Sequence, residues 1–190
     1  RCPLIVFGGS SYRLNCLTSS LFLVLATAAH GHLMGEQKGS LNFNNGGAFL
    51  VLSVPVSAFV GVDDDGDGRW SVEEFDQHTN AIKKQIYERV QLRDDLNVAT
   101  PLQGLLLSLV HLDHNSTVPA NQLMILGRFA VNEDVSSPSL YINLQGRGVN
   151  EKIITITATR GAHSQKMNFS ITANSHTVGF NMDWTDTKLQ

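Results

Sequence analysis

Residues 63–74 read Asp63-Asp-Asp-Gly-Asp-Gly-Arg-Trp-Ser-Val-Glu-Glu74. Counted from Asp63, side-chain oxygens fall at positions 1, 3, 5, 9 and 12, with glycine at position 6. A hard dication takes six to eight oxygens at about 2.3–2.6 Å, and a short loop supplies them only by winding around the ion. Asp63, Asp65 and Asp67 would each offer a carboxylate oxygen, and Gly68 would permit the sharp turn between them. Arg69 would contribute its backbone carbonyl, Ser71 would act directly or through water, and Glu74 would close the sphere with both oxygens. The spacing suits calcium; magnesium prefers a tight octahedron and keeps its waters.

This is the spacing of an EF-hand loop. An acidic surface turn would also use Asp-Gly pairs. The turn alone does not account for the amphipathic pattern that begins where the second helix of a hand should start. Asp64 and Glu73 fall between ligand positions and would add field instead of coordination. Position 8, normally a branched aliphatic that pairs with a sister loop, is Trp70. The preceding segment, residues 55–62, holds Pro55 and Gly61 and has room for one or two helical turns. The chain has no second loop of this type, so a structural or constitutively loaded ion is expected in place of a signalling switch.

Outward toward the N-terminus, residues 17–29 (Leu-Thr-Ser-Ser-Leu-Phe-Leu-Val-Leu-Ala-Thr-Ala-Ala) form an apolar run of signal-peptide length. The run is too short to span a bilayer as a stable helix. Ala26, Thr27 and Ala28 satisfy a small-x-small cleavage pattern, and Arg13 supplies an upstream positive charge. Residues 1–29 are therefore expected to be an upstream segment and signal peptide, and the protein to be secreted or periplasmic. Cleavage would leave about 160 residues, enough for one domain with a real core. Both cysteines, Cys2 and Cys16, precede the cut, so no disulfide is expected in the mature chain. With 14 basic against 17 acidic residues the net charge is −3, and loss of Arg1 and Arg13 deepens it. No basic stripe exists, which argues against nucleic acid as partner, and no later segment is apolar for long enough to span a membrane.

In the remainder, residues 40–44 alternate polar and apolar, and residues 48–54 are denser in apolar side chains. Asn45-Gly-Gly47 between them predicts a β-hairpin. A helix is expected over residues 71–92, because Val72, Phe75, Thr79, Ile82, Ile86 and Val90 recur at steps of three and four. Ser71 and Glu74 have the spacing of a capping box. Residues 94–101 are a polar turn region, and residues 102–110 read as a strand by their neighbours. Further strands are expected over 123–131, 139–144, 152–159 and 166–172, between Asn, Gly, Ser and Pro clusters. The predicted fold class is α+β: an antiparallel, sandwich-like domain over 30–182 with the loop 63–74 and one long helix inserted, and a polar tail over 183–190.

The hairpin, the single Asp-x-Asp-x-Asp-Gly loop at Asp63 to Gly68, the long helix and the strand-rich tail resemble the extracytoplasmic EF-hand domains of bacteria. The likeness is greatest to the domain preceding the membrane segments of HupE/UreJ-type proteins, over roughly residues 40–160, with 63–74 as its specific part. The resemblance implies only the calcium-bearing domain.

Other clusters carry weaker chemistry. Were cleavage to follow Ala29, His30 and His32 would stand first and third, an amine–amide–imidazole nest suited to Cu(II) or Ni(II). Two histidines in a frayed terminus are the plainer reading. His111, Asp113 and His114 are close in sequence, but no further zinc ligands have a recognisable spacing, so a solvated loop is expected. His78, His163 and His176 have no partner nucleophile at a diagnostic distance, and Ser10 and Ser11 lack the Gly-x-Ser-x-Gly elbow. Asn115 and Asn168 head glycosylation sequons, relevant only in a eukaryotic host. No phosphate loop, dinucleotide fingerprint or thiol nucleophile occurs, so the protein is not expected to be an enzyme. Calcium binding is the leading expectation, with an adhesion or accessory interaction module as the runner-up.

Overall fold

The computed structural model describes residues 37–111, 118–131, 135–160, 163–170 (backbone) and 175–180. The expected signal segment and tail, His30, His32, Asp113 and His114 lie outside these residues. The predicted hairpin forms from β1 (Lys38–Asn44) and β2 (Gly47–Pro55), paired from Asn44↔Gly47 to Lys38↔Ser53. Its turn is Asn45-Gly46, with φ of 47° and 69°. Positive φ at both central residues gives the twist that matches a two-residue hairpin, which is why Asn-Gly serves there. Gly47, expected in the turn, opens the second strand instead. Along β2 the odd–even alternation buries Ala48, Leu50, Leu52 and Val54 and exposes Phe49 and Val51.

A single 3₁₀ turn at Val56–Ala58 follows, the one short turn that Pro55 and Gly61 leave room for. Beyond the acidic loop, α1 runs Val72–Arg89. Its inward stripe is narrower than the sequence pattern: Ile82 and Ile86 are fully buried, Phe75 and Thr79 half-buried, and Val72 exposed. The helix stops three residues before the expected Leu92, because Val90 begins β3 (Val90–Arg93) with no intervening loop. Val90 fits both periods. Its amide still bonds the Ile86 carbonyl, and its side chain is buried with Leu92 on the inner face of the strand.

The polar region 94–101 is a turn containing a two-residue strand, β4 (Ala99–Thr100). Asp94 accepts from the Leu96 and Val98 amides, closing that turn. Asp95 accepts from the Ser136 and Ser137 amides and the Ser136 hydroxyl, tying the turn to the chain ahead of β7. The expected strands then appear as β5 (Leu102–Val110), β6 (Gln122–Ala130), β7 (Ser139–Ile142), β8 (Ile153–Arg160) and β9 (His163–Ser170). A short β10 (Thr177–Gly179), β3 and β4 were not evident in the sequence.

Two sheets result, ordered β5-β6-β2-β1-β8-β9 and β10-β7-β3-β4. Among the described residues, one pairing departs from the antiparallel expectation: β1 runs parallel to β8, from Lys38↔Thr155 to Phe43↔Arg160. The hairpin fixes β2 antiparallel on one edge of β1. The other edge is met by a strand that arrives after a long connection, and such a connection imposes no antiparallel direction. Alternation along β8 buries Ile154, Ile156 and Ala158, with Thr155, Thr157 and Thr159 on the other side. Among the described residues, one buried cluster joins side chains of both sheets, Ile82 and Ile86 of α1, and Trp70.

Because Ile86 has no exposed surface, Ile86→Ala should lower the unfolding free energy by about 2–5 kcal/mol in denaturant titrations. Val72→Ala, at an exposed position of the same expected stripe, should change it by less than about 0.5 kcal/mol.

Candidate metal centre

The acidic loop is bracketed by two buried side chains, Val62 and Trp70, while residues 64–69 are exposed. Its curl comes from carboxylates that accept from amides further along the chain. Asp63 Oδ1 accepts from the Gly66 amide at 2.8 Å, and Oδ2 from the Gly68 amide at 3.1 Å. Asp65 Oδ1 accepts from the Asp67 amide at 3.0 Å, and Asp67 Oδ1 from the Arg69 amide at 2.7 Å. Gly66 and Gly68 take φ of 77° and 79° with open space around each Cα. Backbone conformation, not crowding, is therefore what calls for glycine there.

Asp63, Asp65 and Asp67 are brought together: one carboxylate oxygen of each lies within 4.8 Å of the others. No other group of three potential metal-ligating side chains forms among the described residues. Glu74 is not part of this trio. Its Oε1 accepts from the Asp64 amide at 2.8 Å, and its Oε2 accepts from the Ser71 amide at 2.8 Å and the Ser71 hydroxyl at 2.7 Å. The Ser71 hydroxyl in turn accepts from the Glu74 amide at 3.2 Å, completing the capping box at the start of α1. Those donors, the Ser71 hydroxyl foremost, then the Ser71 amide and with smaller effect the Asp64 and Asp65 amides, hold the Glu74 carboxyl below its ordinary pKa against a weaker opposing effect of burial. Arg69 is exposed, and its amide is spent on Asp67.

Two contacts at the loop escaped the sequence. His78 Nε2 lies 2.9 Å from Asp64 Oδ2, linking the second turn of the helix back to the loop. The spacing Glu74 to His78 sets both on one helix face, but nothing in the sequence shows that this face looks at Asp64. Trp70 exchanges two backbone hydrogen bonds with Ala120, each 2.8 Å long. The signal for it was an aromatic residue in an otherwise polar loop; the identity of its partner, fifty positions away, left none.

The segment before the loop is fastened to α1. The Gln85 side chain donates to the Val60 carbonyl and accepts from the Val60 amide, and Arg89 donates to the Ala58 carbonyl. Of the remaining histidines, His111 donates through Nδ1 to the Val118 carbonyl at 2.7 Å, and His176 Nδ1 lies 3.0 Å from Gln145 Nε2. No protein-family model and no curated protein matches this chain. Among the described residues, no helix is long and apolar enough to cross a membrane.

Two outcomes follow for metal-free protein. Ser71→Ala removes the acceptor for the Glu74 amide and should cost about 1 kcal/mol of stability in denaturant titrations. Glu74 has a folded pKa below its ordinary 4.5. Its contribution to stability is therefore complete above that value and is lost as pH falls through the folded pKa. Melting temperature followed from neutral pH into that acid range should decline less steeply in Glu74→Gln than in the unsubstituted chain.

Proposed function

We propose that this chain is an extracytoplasmic calcium-binding domain of EF-hand type, with Asp63, Asp65, Asp67, Arg69, Ser71 and Glu74 as ligands. The clustering of one carboxylate oxygen from each of three aspartates within 4.8 Å, on a tightly curled loop, carries this reading. Carboxylates so placed repel one another without a cation, and a dication relieves that repulsion while gathering oxygens it prefers. Asp63, Asp65 and Asp67 would supply side-chain oxygen, Arg69 its carbonyl, and Ser71 a direct or water-borne contact. Glu74 would close the sphere while keeping its place at the helix start. The ion is then structural, fixing the join between β2 and α1. The apolar run at residues 17–29 supports export to the periplasm or outside the cell. Copper or nickel capture by His30 and His32 is a separate, lesser proposal that depends on cleavage after Ala29.

A second reading, an adhesion or accessory module with calcium as a rigid clip, draws on the outer face of the first sheet, where Phe49, Val51 and Leu106 are exposed. A protein partner retained only in the presence of calcium would favour it.

Trp70 sits inside the loop, so terbium bound there should luminesce on excitation of the indole. Titration of stripped protein should give saturable emission that calcium competes away, and Asp63→Ala and Glu74→Ala should abolish it. Calcium at a hundredfold over its dissociation constant should stabilise the fold by about 2.7 kcal/mol. Absent emission, or emission unchanged in both variants, would remove the assignment.

A further inference from the structure

Val56, seven residues before the acidic loop, donates its amide to the Asn121 carbonyl at 3.0 Å. Trp70, near the end of the loop, donates to the Ala120 carbonyl and accepts from the Ala120 amide. The chain on either side of the three aspartates is therefore fastened to consecutive residues of one strap, 118–122. The strap is not itself slack. It continues into β6, which pairs with β2 along nine residues from Pro55↔Gln122 to Gly47↔Ala130 and with β5 on its other edge. At its near end the Val118 carbonyl accepts from His111. Trp70 and Ala120 are each only 1% exposed. The Trp70 ring lies 5.2 Å from that of Phe59, a residue of the incoming flank. Freeing both sides from the strap means breaking three backbone hydrogen bonds and uncovering an indole.

Resting on the cation-binding reading above, we infer that residues 118–122 are an internal strap that preforms the loop for one cation per chain and makes occupancy and strap closure a single equilibrium. The backbone donor and acceptor of Trp70 are both satisfied within the chain, so no second loop, from this chain or from another copy, is needed to brace it. A loop held closed beforehand leaves the ion less to organise on binding. Conversely, an opening that frees Ala120 from Trp70 loosens the ligand set and releases the ion, so a bound ion must suppress that opening.

The test is amide hydrogen exchange of the native chain in chelator and in calcium, with calcium titrations at two protein concentrations. The Trp70 and Ala120 amides should be protected already in chelator. At a hundredfold excess of calcium over the dissociation constant, exchange at both should slow by about a hundredfold. Stoichiometry should be one ion per chain, with the same affinity at both concentrations. Calcium binding with Ala120 exchange unchanged, unprotected amides in chelator, or binding that requires two chains would each overturn the inference and leave the calcium assignment standing. No calcium binding at all would overturn both. Ala120→Pro removes one donor of the pair and should weaken calcium binding roughly three- to tenfold. Unchanged affinity in a variant that melts cooperatively would also sink the strap. Should that substitution prevent folding, the exchange measurement on the native sequence still decides.

Discussion

The pair of hydrogen bonds exchanged by Trp70 and Ala120 is the constraint on which the rest of this architecture depends. Residues 64–69 are polar, exposed and rich in like charge, and such a segment buries too little to hold a shape by itself. What defines it is attachment at its boundaries. Val62 enters the buried cluster on one side and Trp70 on the other. The backbone of Trp70 is captured by a residue that leads directly into a central strand. The glycines and aspartate turns then act on a stretch whose ends are already fixed in space.

Glu74 stands at a second junction. One carboxylate oxygen braces Asp64 in the loop and the other braces Ser71 at the start of α1. The same group thus sets the start of the helix and borders the acidic trio. The helix is held again from the opposite direction, where Gln85 and Arg89 reach back to Val60 and Ala58. Incoming segment, loop and helix consequently form one mechanical unit with few soft points. A divalent ion bound there, as proposed, would reinforce a geometry and have little motion to drive.

Much of this was legible in local pattern, and what was not depended on distant partners. Asn45-Gly46 and the alternation on either side of it marked the hairpin, and the capping box marked the start of α1, because both signals act within a few residues. The end of α1 is not legible locally, because Val90 satisfies a helical stripe and an inward strand position equally, and only pairing with Ile142 decides between them. Strands of two to four residues, such as β4, carry too few side chains for a period to register. At the candidate site, the spacing of Asp63, Asp65 and Asp67 foretold their convergence. The anchoring of Trp70 did not show, since backbone hydrogen bonds to Ala120 leave no trace in the residue type chosen there.

The parallel neighbour of β1 has a consequence for how the chain reaches this state. Lys38 pairs with Thr155, and Phe43 with Arg160, so the middle of the larger sheet is completed by segments more than a hundred positions apart. Closure over that separation costs entropy before any contact repays it. During synthesis, β1 and β2 emerge long before β8 and must wait with one ladder edge open. The Asn45-Gly46 hairpin needs only local contacts, whereas docking of β8 must close a loop of more than a hundred residues.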